Sequence, residues 1–155
     1  MTGRRWGNER GNAFLEFSLS FFLIFGLFSG VFQFAYSFYT YNTLVNGVRD
    51  GARYASTRPY DSTSATPSAS FNTAVQNMVL YGVQSPAQGQ TPIVRGLSAA
   101  NVLLTVTGGG TGTLTVPSLM TVSIVNFQID AAFTKFTLAG RPNATFPYAG
   151  ILTPP

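Results

Sequence analysis

From Phe17 to Tyr41 the chain is almost wholly apolar, and no Asp, Glu, Lys or Arg occurs between Glu16 and Arg49. As a helix this run extends roughly 37 Å at about 1.5 Å per residue. That is enough to cross a bilayer core of about 30 Å with some tilt. A soluble helix of that length would carry a polar face, and none is present, so the pattern predicts a transmembrane helix. A cleaved secretory signal would have a shorter apolar core and a small-residue cleavage site after it. Here the run ends instead in Ser37-Phe38-Tyr39-Thr40-Tyr41. Its tyrosines read as an interfacial belt, with rings in lipid and hydroxyls in water.

Past the belt the rhythm becomes that of an amphipathic helix. Leu44, Val45, Val48 and Ala52 fall on one side, and Arg49, Asp50 and Arg53 on the other. Gly47 and Gly51 leave a smooth strip for a partner or for a sheet of the same domain. Helical character runs to about Ala55, Pro59 stops it, and Asp61 to Pro67 is a polar loop. A second helix is predicted over Ser70–Tyr81, with Ser70 as N-cap and Phe71, Val75, Met78 and Val79 as its apolar face. Gln84 to Thr91 reads as a Gly/Pro/Gln linker.

Alternation with period two then takes over, in Asn101–Thr107, Thr113–Val116 and Met120–Ile129, and more weakly from Ala132 to Leu138. The predicted architecture is α+β: a long N-terminal transmembrane helix extends into a small exported domain with a second helix and an antiparallel sheet of three or four strands. The expected divisions are a cytoplasmic leader, residues 1–11, the helix and its extension, 12–57, and an exported domain, 58–155. The tail Phe146–Pro155 is apolar, but it is too short and too interrupted by proline for a second span.

Composition removes several function classes. The chain has no Cys and no His, so disulfides, thiolate metal sites and the commonest general base are absent. Asp61 and Asp130 stand alone in sequence, and no nucleophile–base set or metal spacing can be assembled. An enzyme is not expected, nor a cofactor or a small-molecule substrate. Gly108-Gly109-Gly110-Thr111-Gly112 lacks the Lys-Ser/Thr and the strand-to-helix setting of a phosphate loop, and is read as a hairpin turn. The net charge of +4 arises from few acids rather than many bases, since only 9% of residues are charged. Without a basic patch to meet phosphates together, nucleic acid is not an expected partner.

Arg4, Arg5 and Arg10 precede the apolar run, and with the low charge of the distal region they favour an N-terminus inside and a body outside the membrane. Glu16 is the residue that does not fit a plain anchor, because a carboxylate in a hydrophobic helix costs a few kcal/mol. Its surroundings are ordered: basic residues, then Gly11, then Asn12, with Glu16 fifth after Gly11 and Phe17 opening the apolar run. This order resembles the processing signal of prepilins, which are cut after a glycine on the cytoplasmic side. Cleavage at Gly11–Asn12 would leave a new α-amino group on Asn12. Four helical residues, about 6 Å of rise, separate it from Glu16. A neighbouring helix staggered by that distance could set its amine beside Glu16 and neutralise it. Gly26 and Gly30 form a small-xxx-small pair that allows close helix approach in lipid. Phe14, Phe21, Phe25, Phe28, Phe32 and Tyr39 make an aromatic stripe.

At the far end of the helix stands Arg49-Asp50-Gly51-Ala52-Arg53-Tyr54-Ala55. With Glu16-Phe17-Ser18-Leu19 at the near end, it resembles the TadE-like family, pseudopilins of the tight-adherence (Tad/Flp) pilus machinery. The likeness covers residues 1–57; Ser18 replaces the usual Ala, and the rest agrees only in general character. The resemblance implies a type IV pilin-like fold, processing by a prepilin peptidase, and partnership with other pilins or pseudopilins of the same system. It implies a minor part in pilus assembly, with Arg49, Gly51, Ala52, Arg53 and Tyr54 as the family segment. The alternative is a single-pass anchored binding module that never enters a pilus.

Overall fold

The computed structural model describes residues 7–62, 66–108, 117–131 and 134–150. Helix α1 runs over Gly7–Thr57 and α2 over Ala69–Tyr81, followed by a single 3-10 turn at Ala99–Asn101. Strands β1 (Val102–Thr107), β2 (Leu119–Ala131) and β3 (Thr134–Pro147) form an antiparallel sheet in that order. This is the expected α+β, pilin-like layout. The expected strand Thr113–Val116, the glycine turn beyond Gly108 and the tail from residue 151 lie outside the described residues. The strand that pairs with β1 is β2.

The chain divides into two compact units, one up to Tyr36 and one from Ser37. The first is a stretch of helix whose apolar side chains are exposed. The second contains the core. Leu44, Val48 and Ala52, on one side of α1, are each 0% exposed. Their spacing of four puts them on one helix face, and they share a core with Val75 and Val79 of α2 and Met120, Val122 and Ile124 of β2. Fully burying each Leu or Val side chain contributes roughly 1.5–3 kcal/mol, so this face dictates where the sheet and α2 must lie. Arg49, Asp50 and Arg53 are exposed, as the pattern predicts.

Two helix details differ from expectation. The N-cap of α2 is Ser68 rather than Ser70: its Oγ accepts the Phe71 N–H at 3.1 Å. Ser70 lies inside the first turn, where its hydroxyl donates to the Asp61 carboxylate. Ser68 has the extended backbone a cap requires, at φ −62° and ψ 159°. The Gly47–Gly51 strip faces α2 and not the sheet. A Cβ on Gly47 would lie 2.9 Å from the Val79 carbonyl oxygen, and one on Gly51 would meet the Val79 side chain and the Val75 carbonyl. Since Gly47 meets Val79 and Gly51 meets both Val75 and Val79, α2 runs antiparallel to α1.

Just past the segment read as a linker, Gln84 to Thr91, the chain returns to the core. Ile93 N–H donates to the Leu80 carbonyl at 2.8 Å, and Val94 and Leu97 are buried in the core. β3 is longer than the weak alternation suggests and takes in Phe146 and Pro147. Alternation is hard to read there because the register shifts: Ser123 pairs with Asn143, whereas Val125 pairs with Ala139. Gly140, at φ 76°, occupies the intervening bulge, where a left-handed backbone favours glycine. In a second irregularity, between the Val125–Ala139 and Phe127–Leu138 pairs, Asn126 adopts φ 52°, a conformation asparagine tolerates better than most. Beyond this irregularity β2 and β3 continue as a two-stranded ribbon, because β1 stops at the Val102–Ile124 pair.

Candidate functional site

The residues singled out in sequence lie on one element, α1, but in two environments. Gly11, Asn12, Glu16 and Phe17 are exposed on its first described turns. The surface around them is apolar on every side: Phe14, Leu15, Phe21, Phe22, Leu23, Phe25, Leu27, Phe28 and Phe32 are all exposed. The aromatic stripe is therefore part of a surface that encircles the helix. Phe17, Phe21 and Phe25 stack at successive i,i+4 steps, with ring centroids 6.2 and 6.1 Å apart. Ser18 turns its hydroxyl inward to the Phe14 carbonyl at 2.8 Å, which hides a donor that lipid would penalise. Gly26 and Gly30 meet nothing within 4 Å and stay open to a neighbouring helix. Among the described residues this is the one helix long and apolar enough to cross a membrane, and none of its most apolar window is buried.

The second cluster is built into the core. Gly51 and Ala52 form the contact face of α1, Gly51 by letting Val79 approach and Ala52 by complete burial. Arg53 projects outward, and its carbonyl accepts hydrogen bonds from the Ser56 and Thr57 hydroxyls at 2.9 and 3.1 Å. Tyr54 donates its hydroxyl to Gln84 Oε1 at 2.8 Å, and the Arg58 guanidinium lies 5.0 Å from its ring centroid. Tyr54 and Gln84 border an open groove of about 520 Å³ between α1 and α2, lined by Ala69, Ser70, Thr73 and Asn77. Its walls carry no charged side chain and mix apolar surface with neutral polar groups. Among the described residues no group of His, Cys, Asp or Glu could hold a metal ion.

These two clusters bracket one stretch of sequence. Residues 11–53 match the family model for TadE-like protein. The matching segment thus begins at Gly11, includes the whole exposed apolar stretch, and ends at Arg53, just past Gly51, which packs against α2. No curated protein and no solved structure matches the chain.

Sequence reasoning missed a clamp beyond the TadE-like segment. After β3 the chain returns to the end of α1, where Ala149 N–H donates to the Ser56 carbonyl at 2.9 Å. Tyr148 Oη accepts the Tyr60 N–H at 2.9 Å and donates to the Arg58 carbonyl at 3.0 Å. The Tyr60 ring meets Phe71 and Tyr148 edge-on at 5.6 and 6.3 Å. Burial raises the pKa of Tyr60, partly countered by a Ser62 hydrogen bond, while Asp61 and Tyr148 push it further up. Burial likewise raises Tyr148, against the lowering effect of its bond from the Tyr60 backbone. The only signal available in the sequence was the pair of tyrosines, each beside a proline.

Proposed function

We propose that this chain is a minor pseudopilin that takes part in assembling a Tad/Flp-type pilus. The observation that carries the reading is the coincidence of the TadE-like match, residues 11–53, with one helix that is apolar and exposed at its start and packed into a folded unit at its end. Such a segment marks a protein associated with the Tad pilus, a structural component rather than an enzyme. In this reading residues 1–11 are a cytoplasmic leader, removed by a prepilin peptidase between Gly11 and Asn12. The helix, residues 12–57, anchors the chain in the cytoplasmic membrane, and residues 58–155 lie outside. Glu16 then meets the new amine of a staggered neighbour. The pair neutralises a charge worth a few kcal/mol in lipid, so ordered packing is rewarded and misaligned packing is not. Gly26 and Gly30 supply the close approach, with other pilins or pseudopilins of the same system as partners.

Mass spectrometry of the mature protein tests the first step. A chain beginning at Asn12 supports processing, and one retaining the residues before Gly11 in a peptidase-competent cell excludes it. The second step is read from Glu16→Ala, which is expected to stay in the membrane yet lose co-assembly with its partner pilins. Normal co-assembly of that variant sinks the pairing.

A further inference from the structure

The pilus reading leaves unused the groove that Tyr54 shares with α2. All of its lining belongs to the unit from Ser37 onward, so its geometry is a property of that unit alone. Its volume of about 520 Å³ falls within the range of roughly 300–1,000 Å³ that small-molecule sites occupy. Ala69 and Ala74 leave room along α2, Tyr54 supplies an aromatic ring, and Asn77, Gln84 and Ser85 supply neutral polar groups.

The two amides of the groove are each held by one half and open at the other. Asn77 Nδ2 donates to the Gln84 carbonyl at 2.9 Å. A carbonyl only accepts, so this bond fixes which end of the Asn77 amide is spent and leaves Oδ1 as a free acceptor. Gln84 Oε1 accepts the Tyr54 hydroxyl at 2.8 Å, which leaves the Nε2 donors free. Among the described residues, Asn77 Oδ1, Gln84 Nε2 and the Ser85 hydroxyl have no protein partner. The Tyr54 ring is held too, by its hydroxyl and by the Arg58 guanidinium 5.0 Å from its centroid. A donor, an acceptor, a hydroxyl and a ring are therefore in place before any ligand arrives, which lowers the ordering cost of binding.

The groove also selects by what it lacks. With no charged side chain in its lining, it offers no ion pair to a phosphate, a carboxylate or an ammonium group. The charges closest to it are engaged elsewhere: Arg58 lies over the Tyr54 ring, and Asp61 accepts from the Ser70 hydroxyl. No strand borders it, so a peptide finds no sheet edge to extend. The chemistry that fits is neutral, with neighbouring groups that both donate and accept, and with a carbon face to lie against Tyr54 and the alanines. A sugar ring has that constitution, since each of its hydroxyls is at once donor and acceptor.

We infer that this groove binds a neutral saccharide. Gln84 Nε2 donates to one sugar hydroxyl, Asn77 Oδ1 accepts from a neighbouring one, and the Tyr54 ring packs against the carbon face. The site stands whether or not the chain enters a pilus, because every group in it is on the folded unit.

Saturation-transfer NMR on the full chain in lipid nanodiscs, free of sugar-headed detergent, tests this with maltose, cellobiose and N,N′-diacetylchitobiose as probes. A capped, neutral Ser-Asn-Thr peptide serves as the competing class. The expected result is saturation of the ring protons of at least one disaccharide and none of the peptide. Gln84→Glu keeps an acceptor for the Tyr54 hydroxyl but replaces the free donor with a carboxylate oxygen. It is expected to weaken binding roughly three- to tenfold, as the loss of one hydrogen bond does. Thr73→Arg, at an exposed position of α2, fills the groove and is expected to abolish binding. Thr105→Arg, exposed on β1 and outside the groove, is expected to bind as the wild type does. Absence of transfer to all three disaccharides overturns the inference. Transfer that survives both Gln84→Glu and Thr73→Arg at wild-type strength places the sugar elsewhere and overturns it as well. Transfer to the peptide alone makes the groove a peptide site, with the same consequence. Should Thr73→Arg melt below the wild type, Gln84→Glu decides, since Gln84 is exposed and outside the core.

Discussion

Gly51 lets α2 pack against α1 and Tyr148 ties down the residues that follow α1, and neither acts through its own chemistry in isolation. Gly51 lacks a Cβ where Val79 needs the space. Gly51→Val is therefore expected to lower stability by about 1–3 kcal/mol through overpacking, seen as a reduced melting temperature of the purified protein. A change within a few tenths of a kcal/mol would show that α2 can slide aside. Tyr148→Phe removes the acceptor for Tyr60 N–H and the donor for the Arg58 carbonyl, at an expected cost of about 1–3 kcal/mol. The same hydroxyl sets a pH dependence. Tyr60 and Tyr148 both have folded-state pKa values above the ordinary tyrosine value of about 10. The unfolded chain thus sheds these protons first. Stability should stay level in this respect below about pH 10 and fall as pH rises above it. Tyr148→Phe should flatten that alkaline decline in pH-resolved melts, whereas an unchanged slope would remove Tyr148 from the account. The glycine was legible in sequence as a smooth strip, but its partner was not. The tyrosine clamp was not legible at all.

At the scale of elements, α2 is the piece whose boundaries matter most, because it fills the strip on α1. Ser68 caps it through Phe71 N–H and donates to Asp61, a residue the sequence could place only in a polar loop. Ser68→Ala is expected to cost about 1 kcal/mol. Hydrogen exchange should quicken in the first turn of α2 before it does in β2. Uniform exchange across both would mean the cap does not limit the helix. The strands illustrate the opposite case. β1 and β2 were legible because one face of each meets the core and the other does not. β3 was legible only as far as Leu138, because Gly140 and its bulge break the period of two before the strand resumes. The loop around Val94 and Leu97 carries no period, so its burial could not be read from local pattern.

For the whole molecule, the exposed apolar start of α1 is a liability in water and an anchor in lipid. Arginine near the centre of a span costs roughly 2.5–3.5 kcal/mol on insertion scales. A Phe21→Arg, Phe25→Arg double variant should therefore lose about 5–7 kcal/mol of insertion free energy. It is expected to leave urea-washed membranes, while the unit from Ser37 onward keeps its own core. Wild-type retention of that variant in the membrane fraction would count against a span.

The amino-acid sequence alone determined the apolar run, the acid at its edge, the amphipathic extension and the two clearest strands. Each depends on periodicity or charge within a few neighbouring residues. Tertiary structure decided that Gly51 serves α2 and not the sheet, that Leu97 is core, and that Tyr148 clamps the end of α1 across 90 residues of chain. Those contacts join positions whose local sequences contain no information about one another. Only the packing of the Leu44–Val48–Ala52 face, which draws α2 and the sheet to the same side of one helix, brings them together.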